Sequence, residues 1–281
     1  MINQHAYLES LAEKFQLTNT KPVKTPIKPG THYSKEQGPS TPNQVAKMNG
    51  VPYSKAIGSI LWPAVVSRTD VAYAIGILLQ FIQNPGLLHW EGVKCVITYL
   101  YLMKQYCLTF GGVTKKLIEG YSDTNWASQK DWHSILGYVF YLGCGAVTWS
   151  SKKQHIIALS STESEYIAQT HAAKEAIWIQ SFIDEIRGRQ SGAIEMLCDN
   201  QGEIALAKDN KFHARTKHID LRHHFIREAV EEDKIMMTYI LTGENVMDIF
   251  TKVLARPKFK GLVKKLGLRE ENEKGKKGTK V

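Results

Sequence analysis

Residues 118–126 read Ile-Glu-Gly-Tyr-Ser-Asp-Thr-Asn-Trp, which looks like a β-strand with Asp123 in its interior. An acid in the middle of an apolar strand is energetically costly unless it is paired or binds a metal ion. Asp123 is therefore the first candidate for a functional residue, and the elements on either side of it indicate which fold could use it.

The segments after this strand alternate between strands and helices. A turn at Gly143-Cys144-Gly145 joins two further predicted strands, and Ser160 with Glu163 has the spacing of a capping box before a long helix. The predicted elements are strands at 137–142 and 146–151, a helix at 161–187, a strand at 193–198, helices through 207 and at 217–231, a strand at 235–241 and a helix from 245. This mixed order predicts an α/β fold with a sheet of about five strands.

Four acids fall where this order would bring the chain together. Asp123 lies in the first strand, Glu165 one turn into the long helix, Asp199 after the fourth strand and Asp248 at the start of the last helix. Clustered carboxylates suit hard divalent ions, and two such ions can cleave phosphodiesters. Taken singly, Asp199 could be only a helix cap and Asp248 could be favoured only by the helix dipole. Glu163 is interpreted as the capping partner rather than a ligand.

The first 116 residues have a different character. Apolar residues at three-to-four spacing predict helices at 53–62, 71–82 and 90–102. Residues 21–43 contain five prolines and look like an extended linker. His89, at the start of the third helix, is interpreted as a packing residue. The long helix at 161–187 carries a stripe that we expect to be buried, formed by Ala172, Ala173, Ala176, Ile177, Phe182, Ile183 and Ile186.

Charge is unevenly distributed along the 281 residues, whose formal net charge is +9. Residues 1–118 hold 12 Lys and Arg against 5 Asp and Glu, whereas the remainder is nearly neutral. This distribution predicts a polyanion-binding surface beside a domain that uses its acids. No apolar run approaches the roughly 20 residues of a membrane helix, and the four cysteines form no Cys-x-x-Cys pair. We therefore expect a soluble intracellular protein with reduced thiols and no membrane partner.

Taken together, the motifs from residue 117 to 268 resemble the ribonuclease H domain of copia-type (Pseudoviridae) retrotransposon Pol polyproteins. The resemblance is carried by Tyr121–Trp126, Trp149–Gln154, Ala158–Tyr166, Cys198–Gln201, Arg215–Asp220 and Asp248–Lys252. The N-terminal part resembles the end of the same family's reverse transcriptase, through Thr25-Pro26, Ile57-Gly58-Ser59, Arg68–Ala74 and His89-Trp90. Asn125 stands where the family commonly has an acid.

This resemblance implies a ribonuclease H-like mixed five-stranded sheet with flanking helices, preceded by a mostly helical thumb- or connection-like segment. The expected domains are a reverse-transcriptase remnant at 1–116 and a ribonuclease H domain at 117–268, and the charged composition of residues 269–281 predicts a disordered tail. By the same resemblance, the catalytic and metal-binding acids are Asp123, Glu165, Asp199 and Asp248. Glu165 is preferred to Glu163 because the family's glutamate precedes an apolar-apolar-Ala run.

The implied activity is endonucleolytic cleavage of the RNA strand of RNA–DNA hybrids during reverse transcription. The implied cofactor is a pair of Mg²⁺ ions, for which Mn²⁺ could substitute. We expect Lys152, Lys153, Arg215 and Lys217 to track the phosphates of the hybrid. The remaining reverse-transcriptase portion of the polyprotein is an expected partner, and a cytoplasmic particle or the nucleus is the expected location.

Two alternatives to this function stay open. The chain could be a catalytically unused or co-opted Pol fragment that binds nucleic acid or serves as a structural protein. It could also be a nuclease of the same fold acting on DNA, such as an integrase, although the missing zinc-binding His/Cys pattern argues against this. Polymerase activity is not expected, because the family's Tyr-x-Asp-Asp turn is missing and the chain contains no Asp-Asp pair.

Overall fold

The computed structural model describes residues 1–111, 116–128, 131–188, 192–202, 204 and 217–271, and for residues 217–221 and 223 it describes the backbone alone. The chain divides into two compact units. One, the N-terminal unit, is formed by Met1–Gly111 together with Val253–Val281, and the other, the sheet unit, is formed by Gly112–Lys252.

The described elements follow the predicted order closely. The principal helices are α1 (His5–Lys14), α2 (Pro42–Met48), α3 (Tyr53–Val66), α4 (Ala72–Leu79), α5 (Leu87–Leu102), α6 (Ser161–Arg187), α7 (Lys217–Glu231), α8 (Asp248–Thr251) and α9 (Arg256–Lys265). The strands are β1 (Tyr106–Leu108), β2 (Ile118–Asn125), β3 (Ile135–Leu142), β4 (Gly145–Lys153), β5 (Ile194–Cys198), β6 (Ile235–Tyr239) and β7 (Leu268–Glu270). Short 3-10 helices lie at Lys35–Gln37 and Thr69–Val71.

The sheet unit contains a five-stranded mixed sheet in the order β4-β3-β2-β5-β6. Strands β2, β3 and β4 are antiparallel because short connections join them, whereas β5 and β6 are parallel to β2 and need helical crossovers. Helices α6 and α7 pack against each other, and α6 also covers β2 and β3. This arrangement confirms the predicted α/β, ribonuclease H-like fold class.

The core of the sheet unit lies between α6 and the sheet. Ala172, Ala173 and Ala176 are fully buried on α6, because small side chains let the helix approach the strands closely. The predicted apolar stripe is wrong at its end, since Phe182 and Ile186 are 49% and 66% exposed. A helix of 27 residues is about 40 Å long, which exceeds the length of every strand in the sheet. The last turns of α6 therefore extend beyond the surface that the strands offer.

The N-terminal unit is mainly helical, as predicted, but two expectations for it are corrected. The supposed linker is packed rather than extended in solvent, because Thr25, Ile27 and Ser34 are buried. The tail does not begin at residue 269, because β7 pairs antiparallel with β1 and matches Leu268 with Leu108. Both of those leucines are buried, so apolar burial fixes the strand. The predicted tail residues 272–281 lie outside the described residues.

The division between the two units also differs from the predicted domain boundary. Helix α9 and strand β7 group with the N-terminal unit, whereas the resemblance extends the ribonuclease H domain to residue 268. Phe259 of α9 packs edge-on against Tyr99 of α5, with ring centroids 5.9 Å apart. No helix within the described residues combines the length and the apolar character that crossing a membrane requires.

Candidate active site

Asp123 lies on β2, opposite Gly137 of β3, in the middle of the sheet. Its side chain accepts one hydrogen bond, from the hydroxyl of Thr251 to Oδ2 at 3.0 Å. Burial raises the pKa of Asp123 to about 7; Lys252 and the Thr251 hydrogen bond oppose the shift, whereas Asp199 and Asp248 add to it. This carboxyl group is thus incompletely compensated and has other acids close by.

The segment that carries Asp248 approaches the sheet closely at Gly137. A Cβ atom at this glycine would lie 2.8 Å from Cε of Met247 and 2.9 Å from Cβ of Phe250, so a larger residue would push α8 away. Two side chains also tie α8 to the strands. The hydroxyl of Ser151 donates to the carbonyl oxygen of Phe250 at 2.5 Å, and Nδ2 of Asn125 donates to the carbonyl oxygen of Thr251 at 3.2 Å.

Asn125, at the position where the family commonly has an acid, therefore makes a hydrogen bond that an acid could not make. An amide can donate to a carbonyl oxygen, whereas an ionised carboxylate cannot. The departure from the family pattern is compatible with the site because Asn125 helps to fix the helix that supplies Asp248.

Asp248 is paired with a lysine one helical turn later. Nζ of Lys252 lies 2.6 Å from Oδ1 of Asp248, and the two side chains are 39% and 6% exposed, respectively. The pKa of Lys252 is raised: burial of the ammonium opposes the shift, but Asp248, Asp123 and Asp199 together outweigh it. The ammonium group is thus held among three of the predicted acids.

Glu165 and Asp199 complete the cluster from the other side. Nδ2 of Asn200 donates a hydrogen bond to Oε2 of Glu165. The pKa of Glu165 is raised by burial, with Asn200 opposing the shift and Asp199 adding to it. Asp199 follows β5 and lies within electrostatic reach of both Asp123 and Glu165, so it links the two halves of the cluster.

Acids from four separate segments of the chain thus lie within electrostatic reach of at least one other member of the set. Among the described residues, no three His, Cys, Asp or Glu groups converge closely enough to hold an ion by themselves. The donor set nevertheless fits a hard divalent cation, because it consists of carboxylate oxygens. The raised pKa values of Asp123 and Glu165 mean that their ionised forms are destabilised, and a bound cation would favour those forms.

Glu163 has a different function, as the sequence predicts. Oγ of Ser160 accepts from the backbone nitrogen of Glu163 at 3.1 Å. The carboxylate of Glu163 accepts from the backbone nitrogen of Leu159 at 2.7 Å, one residue earlier than the standard capping box has it. Glu163 is buried and closes the start of α6, which confirms its interpretation as a capping residue.

Two of the four residues predicted to contact phosphates have described side chains, Lys152 and Lys153. Lys152 is exposed on β4, and Lys153 beside it forms an ion pair with Asp131. Arg215 and the side chain of Lys217 lie outside the described residues. Sequence reasoning missed four site residues: Gly137, Asn200, Thr251 and Lys252. The last three lie inside the motifs that contain Asp199 and Asp248, so their position could have drawn attention to them.

Comparison with known proteins identifies relatives that are much longer than this chain. No protein-family model matches it. It is 42% identical over 259 residues to the retrovirus-related Pol polyprotein from transposon TNT 1-94 of Nicotiana tabacum, covering 92% of this chain and 19% of that polyprotein. It is 31% identical over 268 residues to the retrovirus-related Pol polyprotein from transposon RE1 of Arabidopsis thaliana, covering 95% and 18%. The chain therefore spans about a fifth of the length of these curated relatives.

Among solved structures, the chain is similar to LC11-RNase H1 in complex with an RNA/DNA hybrid. That similarity covers 46% of this chain and 88% of the other, at 16% sequence identity and a TM-score of 0.36.

Proposed function

The chain belongs to the retrovirus-related Pol polyproteins of copia-type transposons, and from that membership we propose that its sheet unit is a metal-dependent ribonuclease H. The unit cuts the RNA strand of RNA–DNA hybrids during reverse transcription of the element. The observation that supports this most is the electrostatic coupling of Asp199 with both Asp123 and Glu165, and of Asp248 with Asp123; the pKa values of Asp123 and Glu165 are raised. Such perturbed acids mark functional sites more often than ordinary surface positions.

In this proposal the four acids would hold two Mg²⁺ ions, for which Mn²⁺ could substitute. Such ions would supply an activated water and would neutralise charge on the leaving 3′ oxygen. Around them, the Thr251 hydroxyl orients Asp123 and the Asn200 amide orients Glu165. The close contact at Gly137 keeps Asp248 beside the strand that carries Asp123.

The proposed substrate follows from the surroundings of the acids. A ribonuclease H must sense 2′-hydroxyl groups on one strand of a hybrid through its shallow minor groove. Lys152 and Lys153 on β4 are proposed to contact phosphates, because such contacts position a nucleic acid without reading its sequence. The other proposed partner is the remaining reverse-transcriptase portion of the polyprotein.

A cleavage assay on the full chain tests this function. The substrate is an RNA–DNA hybrid with labelled RNA, with duplex RNA and duplex DNA as controls, and each is incubated with Mg²⁺ or with EDTA. We expect endonucleolytic cuts in the RNA of the hybrid alone, and only with Mg²⁺. Cleavage of duplex DNA would favour an integrase-like nuclease instead. Hybrid binding without any cleavage would favour a co-opted fragment.

A further inference from the structure

Lys252 is a cation that lies beside three of the predicted acids, Asp123, Asp199 and Asp248. Its Nζ lies 2.6 Å from Oδ1 of Asp248, and its charge also acts on Asp123 and Asp199. The backbone nitrogen of Lys252 donates to the carbonyl oxygen of Asp248 at 3.0 Å, which fixes the start of the lysine side chain one turn from the acid. The position of the ammonium is therefore set by the same short helix that positions Asp248.

A cation is needed at this place when no metal ion is bound. Asp248 is buried, and the short helix that carries it also supplies Thr251, whose hydroxyl donates to Asp123 at 3.0 Å, so two acids are held on either side of this helix turn. Like charges that are partly removed from water repel one another strongly and destabilise the fold that holds them together. The ammonium of Lys252 offsets this repulsion with a single positive charge.

The same lysine is able to leave. Its side chain is 39% exposed, whereas that of Asp248 is 6% exposed, so the ammonium can move into solvent while the carboxylate stays in place. A lysine is a flexible point charge without the fixed fork of an arginine. A divalent ion carries twice the charge and needs the same carboxylate oxygens as ligands.

We propose that Lys252 is a positioning residue that keeps the acid cluster assembled before metal binds and is displaced from Asp248 by the divalent ions. This inference rests on the proposed metal-dependent function. It makes the lysine a competitor of the metal: the ammonium stabilises the metal-free fold and, for that reason, lowers the affinity of the site for the ions.

The test compares three variants of the full chain without nucleic acid. Lys252→Gln removes the charge, and Lys252→Arg keeps it. Lys234→Gln is the control, because Lys234 forms an ion pair with Glu232 at 2.5 Å between two exposed side chains of the same unit. Mg²⁺ affinity is measured by calorimetric titration, and the melting temperature is measured in EDTA and at saturating Mg²⁺.

For Lys252→Gln we expect Mg²⁺ to bind roughly fivefold tighter or more, the usual size of a coupling between two binding events. Its melting temperature in EDTA should fall by about 2–4 °C, and saturating Mg²⁺ should close that gap. Lys252→Arg should restore the melting temperature in EDTA, and Lys234→Gln should change neither quantity. In the wild-type chain, the ¹⁵N signal of the Lys252 ammonium should move to the position of a solvent-exposed lysine when Mg²⁺ is added.

Equal or weaker Mg²⁺ affinity in Lys252→Gln would overturn the inference, as would a loss of melting temperature that is the same at every Mg²⁺ concentration. If Lys252→Gln does not fold, the wild-type signal decides, and an ammonium signal that Mg²⁺ leaves unchanged would also overturn the inference. A wild-type chain that binds no Mg²⁺ would remove the proposed function and this inference with it. That result differs from the others because it appears before any variant is compared.

Discussion

Two acids, one in each unit, have opposite surroundings: Asp70 is buried, and Asp123 is half-buried. In the N-terminal unit, Nε and Nη2 of Arg68 donate to the two oxygens of Asp70 at 3.0 and 2.7 Å, and the Tyr99 hydroxyl adds a third bond at 2.6 Å. Nη1 of Arg68 reaches the carbonyl oxygen of Met103. In the sheet unit, Asp123 accepts one hydrogen bond, from Thr251, and lies near two acids of the same charge that raise its pKa.

The difference separates an acid that holds the fold from an acid that is kept for a ligand. Breaking a buried pair by removing one partner leaves an uncompensated charge, so Asp70 should matter for stability. A partly buried acid with few donors among the described residues costs stability, and in the proposed function a bound cation would offset that cost. The number and the sign of their partners thus distinguish the two acids.

The largest expected effect comes from Asp123→Asn, which keeps the shape of the side chain and removes its charge. Hybrid cleavage should fall by about a thousandfold or more, because metal ions supply several kcal/mol to such reactions. Folding should stay intact, since one member of a set of like charges is removed. Single-turnover cleavage and urea unfolding of the same preparation measure the two effects. Cleavage close to the parent rate would show that Asp123 does not bind the ions.

The second expected effect is a loss of stability at the other acid of the comparison, Asp70. Arg68→Ala should lower the free energy of unfolding by about 3–5 kcal/mol, because Asp70 would remain buried without its partner. The effect is one on stability and not on the cleavage of hybrids. Lys94→Ala is the matched control, since it breaks a 2.6 Å ion pair with Glu91 that is partly exposed. Such pairs contribute less than about 1 kcal/mol. Equal losses in the two variants would contradict the structural role of Arg68.

A third prediction compares substitutions of two acids on the same helix, and the smaller effect is expected at Glu163. Glu163→Gln should keep hybrid cleavage and cost less than about 1 kcal/mol of stability, because an amide oxygen can still accept from Leu159. Glu165→Gln should be inactive, because the charge near Asp199 would be lost. Cleavage rates of the two variants, measured under the same conditions, show which glutamate is needed for cleavage. An inactive Glu163→Gln beside an active Glu165→Gln would show that the ligand had been assigned to the wrong residue.

The smallest effect concerns His89, which is buried and was correctly interpreted as a packing residue. Its ring stacks on Phe81 with centroids 4.0 Å apart, its Nδ1 accepts from the backbone nitrogen of Gly86 at 2.9 Å, and Nε2 lies 3.1 Å from the carbonyl oxygen of Ser34. This geometry assigns a neutral ring with the proton on Nε2. Burial lowers the pKa of His89, with the Ser34 hydrogen bond opposing the shift.

Because the folded pKa of His89 is depressed, its contribution to stability is complete above the unfolded value of about 6.5 and is lost as pH falls through the folded pKa. Protonating Nδ1 would break the hydrogen bond from Gly86, which is worth about 1 kcal/mol. Urea unfolding at pH values from 5 to 8 should show this decline. The dependence of the free energy of unfolding on pH should become weaker in His89→Gln. It should remain in His32→Gln, a control at an exposed histidine of the same unit. A slope unaffected by His89→Gln would assign the pH dependence to another group.

Much of the sheet unit could be predicted from the sequence because its signals are local. Strand and helix periodicity placed the elements within a few residues, and α6 begins at Ser161 as the capping pattern of Ser160 and Glu163 indicates. The four acids followed from a family resemblance that covers the same region. Their relative placement depends on the order of strands within the sheet, which the alternation of strands and helices along the chain does not specify.

The remaining features depend on contacts between distant segments, which leave little local signal. The close approach at Gly137 involves residues more than 100 positions later, and so does the bond from Asn125 to Thr251. The packing of Thr25 and Ile27 was hidden by a proline-rich composition that is typical of linkers. The pairing of β7 with β1 was hidden in the same way, because the charged residues around Leu268 look solvated.

The pairing of β1 with β7 has a consequence for synthesis on the ribosome. The N-terminal unit is discontinuous in sequence, and β7 completes it from a segment that is translated after the whole sheet unit. The described strands of the sheet unit all lie before residue 253, so this unit can fold first, while Leu108 and Tyr99 must wait for Leu268 and Phe259 to be translated. The helices that precede the sheet unit are therefore translated before the strand that completes their own unit, and they reach their final structure only after that strand is made.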